Sequence, residues 1–186
     1  MDKLLVHFKQ NINAMKTKVP ILVMLLTLFV INSYSQEKSK QELKEERKIE
    51  RQKQTEALVN AREFVFTAET AFPTGGRSVN LTSRTNYMKF HPDRIESELP
   101  FYGRAYSGAG YGGDTGMKFD GKPEEYTVTK TKKEYQIEAV VKGENDTYRI
   151  LLSVGFEGSA SLSIISNNRS SISYSGEISA PENPKE

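Results

Sequence analysis

From Phe64 onward, apolar and polar residues alternate with a period of two. Phe64, Phe66 and Ala68 share one side of the chain, with Val65, Thr67 and Glu69 on the other. The pattern sharpens later: Tyr135, Ile137, Ala139 and Val141 form one stripe, and Tyr148, Ile150, Leu152, Val154 and Phe156 the next. Ala160, Leu162 and Ile164 follow, then Ile172, Tyr174 and Ile178. A strand turns successive side chains to opposite faces, so this rhythm predicts half-buried antiparallel strands. They fall near 63–70, 78–82, 85–91, 93–99, 117–120, 124–131, 133–142, 146–156, 159–166 and 171–179. Merging of some of these would leave eight or nine. Turn signals separate them at Asp120-Gly121-Lys122-Pro123, Gly143-Glu144-Asn145-Asp146, Glu157-Gly158 and Asn167-Asn168. The connections in the second half are too short for crossover helices, which requires antiparallel pairing. The expected fold is therefore mainly β, an antiparallel barrel or sandwich. The outward positions of the last strands are serine: Ser159, Ser161 and Ser163, then Ser171, Ser173 and Ser175. They read as a water-facing surface, or as a hydroxyl ladder for a polymer.

Residues 36–62 have a different character. QEKSKQELKEERKIERQKQTEALVNAR contains no Gly or Pro and is built from good helix formers. Its apolar residues are too few for a heptad repeat, so a solvated helix or spacer is expected rather than a coiled coil. Its last turns, Ala57 to Ala61, carry enough apolar surface to dock on the strands behind them. Further upstream, Lys16 and Lys18 precede the apolar run Val19 to Ile31, and Ser33 and Ser35 stand at −3 and −1 of a cut before Gln36. That order describes a secretory signal peptide over residues 1–35, with Met15 as a more natural start than Met1. The apolar run is short of the roughly 20 residues that span a bilayer. A periplasmic or secreted location follows, with no stable membrane span after cleavage. The boundaries read as signal peptide 1–35, charged helix 36–62, β domain 63–180 and a disordered tail 181–186.

Charge and composition narrow the function. The 186-residue chain carries 26 basic and 24 acidic residues, a net of +2. Loss of residues 1–35 leaves 22 basic and 23 acidic, so neither nucleic acid nor anionic lipid has an electrostatic claim on it. There is no Cys, which excludes disulfides, thiolate metal sites and a lipid-bearing N-terminal cysteine. His91 is the single histidine after residue 35 and lies in His91-Pro92-Asp93. No G-x-S-x-G elbow and no D-x-D-x-D series is present, and Asp114 and Asp120 alone make a poor calcium site. The expectation is a protein that is not an enzyme, with no catalytic residues, metal or cofactor.

One segment stands apart. Residues 99–116 read LPFYGRAYSGAGYGGDTG, rich in glycine and tyrosine. Gly108, Gly110 and Gly113 satisfy G-x-G-x-x-G, but no helix pattern follows, so the dinucleotide reading fails. A ligand or partner loop fits better. Tyr102, Tyr106 and Tyr111 could stack on a sugar or peptide, with Arg104 and Asp114 as polar contacts. The competing reading makes Phe101 and Tyr102 core residues and the glycines mere turn formers. The leading function is a non-enzymatic periplasmic binding module for an unknown small molecule. The alternative is a structural or interaction domain that meets an envelope protein.

Several blocks together carry a resemblance. They are F-x-F-x-A, Pro73-Thr74-Gly75-Gly76, LPFYGRAY (Leu99 to Tyr106), Gly112-Gly113-Asp114 and ISYSG (Ile172 to Gly176). Behind a signal peptide and charged helix, they make residues 58–181 similar to the secreted domain of unknown function 4251 (DUF4251) family of Gram-negative bacteria. The most specific pieces are LPFYGRAY and SNNRSSISYSG, from Ser166 to Gly176. The resemblance implies a β-rich, lipocalin-like fold and no assigned activity. Some relatives have a lipid-attachment cysteine, and its absence here implies a soluble fate.

Overall fold

The computed structural model describes residues 39–82, 85–106, 116–143 and 146–181. The proposed signal peptide, Tyr111 and Asp114 lie outside these residues. A helix, α1, covers residues 39–61. The chain divides into two units between Arg47 and Lys48. In the first, residues 39–47 are helical and wholly exposed, as their charged composition dictates.

In the second unit α1 gains a buried stripe. Thr55 and Val59 are 4% and 1% exposed, with Gln52, Glu56 and Leu58 half-buried beside them. That i, i+3, i+4 spacing is one helix face. The helix ends in a tight reversal: Glu63 N–H donates to Leu58 O at 3.3 Å and Arg62 N–H to Val59 O at 3.2 Å. Such a cap needs a left-handed residue, normally Gly. Here it is Arg62, at φ 54°, whose guanidinium lies 4.5 Å from the Tyr126 ring centroid.

Ten strands follow: β1 (Phe64–Pro73), β2 (Val79–Asn80), β3 (Tyr87–His91), β4 (Arg94–Leu99), β5 (Met117–Gly121), β6 (Pro123–Lys130), β7 (Glu134–Lys142), β8 (Thr147–Gly155), β9 (Ser159–Ser166) and β10 (Ile172–Ser179). They form one antiparallel sheet ordered β5-β4-β3-β1-β10-β9-β8-β7-β6, with β2 beside β1. The sheet rolls into a nearly closed barrel. Its interior is filled. Phe64, Phe66, Met88, Phe90, Ile95, Val141, Ile150, Leu162, Ile164 and Tyr174 are all 0% exposed. These side chains come from strands all along the sheet.

Two features depart from the sequence reading. The Asp120-Gly121-Lys122-Pro123 segment is not a reversal. Eight antiparallel steps along the sheet leave β5 and β6 pointing the same way, and one residue, Lys122, joins them. Residues 117–130 are thus one bent run whose first part pairs with β4 and whose second part pairs with β7. Pro123, which lacks a donor, marks the change of partner. The second feature is a bulge in β1 between Ala68 and Thr70. It shifts the phase so that Ala71 is buried and Phe72 is 47% exposed. Opposite it, a Cβ on Gly176 would stand 1.9 Å from Thr67 O, so only glycine fits there. The outward serines of β9 and β10 pair in register, Ser161 with Ser175 and Ser163 with Ser173, and the latter hydroxyls are 2.6 Å apart.

Candidate functional site

The barrel has two differently built ends. At one, α1 covers the ends of β8 and β10: Lys48 pairs with Glu157 at 3.7 Å, and Lys130 donates to Glu56 at 2.6 Å. An open groove runs there between α1 and the β8–β9 turn, bordered by Arg51, Leu58, Gly158 and Ile178.

At the other end, the segment that leaves β4 is fastened to the β9–β10 turn. Leu99 is 1% exposed, and Phe101 packs on the core. The Tyr174 hydroxyl, inside the barrel, donates to Pro100 O at 2.7 Å. Burial raises the pKa of Tyr174 well above the usual phenol value, and the nearness of Tyr102 adds to it. The next residues form a short antiparallel clasp. Ala105 bridges Arg169. Tyr106 N–H donates to Asn168 O at 2.7 Å, and Ser170 N–H donates to Arg104 O at 2.9 Å. Arg104 N–H donates to Ser170 Oγ at 3.1 Å. Gly103 is required by this contact, because a Cβ there would meet Ser170 Oγ at 2.3 Å.

Arg169 secures the segment from beneath. Its guanidinium lies 5.5 Å from the Phe101 ring centroid, and Nη1 donates to Gly116 O at 2.5 Å. Asp146, from the β7–β8 connection, holds the far side of the turn. Its carboxylate accepts from Ser166 Oγ at 2.5 Å, Thr147 N–H at 2.8 Å and Asn167 N–H at 3.1 Å. Thr74 adds a hydroxyl bond to Ser171 O at 2.7 Å.

Against this support, three of the five candidate residues stand on one strap with their side chains out. Tyr106 is 70% and Tyr102 45% exposed, and Arg104 is exposed between them. Tyr111 and Asp114 lie outside the described residues. The sequence reading missed Arg169, Tyr174 and Asp146, which hold the strap in place. Two of them sit inside the SNNRSSISYSG block, whose part in holding the strap shows only in the fold.

Little else gathers chemical groups. Among the described residues no three His, Cys, Asp or Glu side chains are placed to hold a metal. Asp120, weighed above as an oxygen ligand, is instead held by Arg94 through Nε at 2.5 Å and through Nη2. No helix among the described residues is long and apolar enough to cross a membrane.

A family model described as a domain of unknown function, DUF4251, matches residues 46–178. The chain belongs to the DUF4251 family. A crystal structure of a DUF4251 family protein from Bacteroides eggerthii DSM 20697 is similar, with a TM-score of 0.56 at 19% identity. The match covers 70% of this chain and 87% of the other, and at that identity it speaks for the fold alone. No curated protein matches. Within this DUF4251 protein, the two most specific sequence blocks, LPFYGRAY and SNNRSSISYSG, are the two halves of the clasp.

Proposed function

We propose that this DUF4251 protein is an exported, non-enzymatic interaction module that meets its partner at the clasped end of the barrel. The contact is made by Tyr102, Arg104 and Tyr106, and the partner is an envelope protein or peptide. One observation carries the reading: two exposed tyrosines and an arginine are presented on a strap whose backbone is bonded at Pro100, Arg104 and Tyr106. Aromatic and arginine side chains on a pre-ordered backbone lose little entropy on binding, and they dominate the energetics of protein interfaces.

The filled interior supports a surface contact over a ligand held within the barrel. A small molecule remains the second reading, favoured by the aromatic and polar mixture of the strap, and it would then lie against Tyr102 and Tyr106 from outside. The charge balance gives no reason for nucleic acid as partner.

The test is site-specific photocrosslinking in the native host, with the probe at Tyr106 and, as control, at Lys132 beyond the far end of β6. A discrete adduct from the Tyr106 position, weakened in Arg104→Ala, is the expected result. Native mass spectrometry of the same protein tests the second reading. No adduct together with a bound small molecule lost in Tyr106→Ala would replace the first reading by the second. Absence of both would remove the strap as a site.

A further inference from the structure

The Tyr106 ring is 70% exposed and stands outside the core, so its direction is set by its backbone. That backbone is fastened by the Tyr106 N–H, which donates to Asn168 O at 2.7 Å. The place of Asn168 is dictated in turn from a third element. Asn168 N–H donates to Ser166 Oγ at 3.2 Å, and Ser166 Oγ donates to Asp146 Oδ2 at 2.5 Å. The other carboxylate oxygen of Asp146 accepts from Asn167 N–H at 3.1 Å. Among the described residues Asp146 bonds to nothing on the strap itself. It reaches Tyr106 only along this series.

The chemistry of each link supports the next. A serine hydroxyl has one hydrogen to give and two lone pairs to accept with. Asp146 takes the hydrogen, which leaves the Ser166 oxygen to receive the Asn168 N–H. An ionised acceptor makes the stronger bond, and it polarises the hydroxyl so that its oxygen accepts better. Ser166 is 9% exposed, so water is a poor substitute for either partner. Without the carboxylate, the Asn167-Asn168 turn loses one anchor at Asn167 N–H and the support of the other at Asn168 N–H. Tyr174 and Arg169 act elsewhere, on Pro100 and Phe101.

We propose that Asp146 is a positioning residue for the strap: through Ser166 and Asn168 it fixes the peptide group of Tyr106, and with it the direction in which that ring is presented. The strap is thus controlled from the β7–β8 connection, on which none of its contact residues lies. The proposal rests on the reading of Tyr106 as a contact residue, whereas the series of bonds stands without it.

Amide hydrogen exchange of the whole protein, read residue by residue by NMR, tests this with Asp146→Asn, Ser166→Ala and the two combined. Asp146→Asn keeps the size of the side chain and loses its charge, and Ser166→Ala removes only the hydroxyl. Each is expected to speed exchange at Tyr106 roughly tenfold, with Ile150 and Leu162 unmoved. Bonds in series fail together, so the double variant should do little more than either change alone. The crosslink from a probe at position 106 should weaken in Asp146→Asn as well. Circular dichroism reports whether each variant has folded, and Ser166→Ala decides if Asp146→Asn has not. Unchanged exchange at Tyr106, effects that add in the double variant, or an equal gain at Ile150 and Leu162 each overturn the proposal. Faster exchange with an undiminished crosslink upholds the placement of Tyr106 by Asp146 and removes Tyr106 from the contact.

Discussion

The hydroxyl of Tyr174 reaches from the barrel interior to the carbonyl of Pro100, 2.7 Å away. It is the point where the sheet grips the strap. Tyr174 is 0% exposed, so its hydroxyl has no water to turn to in place of that carbonyl. Tyr174→Phe is expected to cost about 1–2 kcal/mol. Amide hydrogen exchange should show the loss unevenly: Tyr106 and Ser170 should gain exchange far more than Ile150 or Leu162. A uniform gain would mean that the strap and the barrel open together.

Gly176 makes a stronger prediction. The atoms nearest a Cβ at this position, Thr67 O at 1.9 Å, Thr67 C at 2.9 Å and Ala68 Cα at 3.1 Å, are all backbone. None can rotate away, so β1 and β10 must separate at the bulge. Gly176→Ala is expected to destabilise by more than about 3 kcal/mol in urea unfolding. Gly75→Ala, which has open space but a φ of 78°, should cost only about 1 kcal/mol.

Tyr126 presents the opposite case. Its hydroxyl is buried with no hydrogen-bond partner among the described residues. Burial pushes its pKa up to about 12. The folded value lies above the unfolded one of about 10, so this group's contribution is whole below pH 10 and is lost as the pH rises toward 12. Tyr126→Phe removes an unsatisfied group and is expected to leave stability at neutral pH unchanged or raised by about 1 kcal/mol. Its alkaline unfolding, followed by circular dichroism between pH 9 and 12, should begin at higher pH than that of the parent.

Asp120 titrates in the other direction. The Arg94 hydrogen bond holds its carboxyl below the ordinary aspartate value, against the contrary effect of burial and with the Arg94 charge adding to it. A depressed folded pKa contributes stability above the unfolded value of about 3.9, lost as the pH falls through the folded one. Both side chains are about half exposed, so the effect belongs in a titration and not in a melting curve. Carboxyl-carbon NMR should place the Asp120 midpoint below the ordinary aspartate value, and Arg94→Gln should move it up.

Much of the barrel is legible in the sequence because the inner side of a strand must be apolar and the outer side must be wet. Tyr135 to Val141 and Tyr148 to Val154 follow that rule residue by residue. The rule fails where a local event alters the count. No composition signal announces the bulge in β1, which leaves Phe72 outside. Asp-Gly-Lys-Pro has turn chemistry, yet here the same residues bend a strand between two neighbours. The strap was legible as an unusual segment with exposed tyrosines. Its fastening was not, because Arg169, Tyr174 and Asp146 approach it only through the closure of the barrel.

That closure also dictates an order of events. Strands β6 to β10 follow one another as hairpins, so their pairings need only short loops to close. The pairing of Phe66 with Ile178 joins the two ends of the domain. It carries a loop-closure cost that local contacts must offset first. Because residues 117–130 serve both halves, the β7–β10 meander holds one part of that run while the other awaits β4. Folding of this barrel therefore ends with the meeting of β1 and β10. Until then both edges of the meander are open, and the chain is most exposed to wrong partners in that interval.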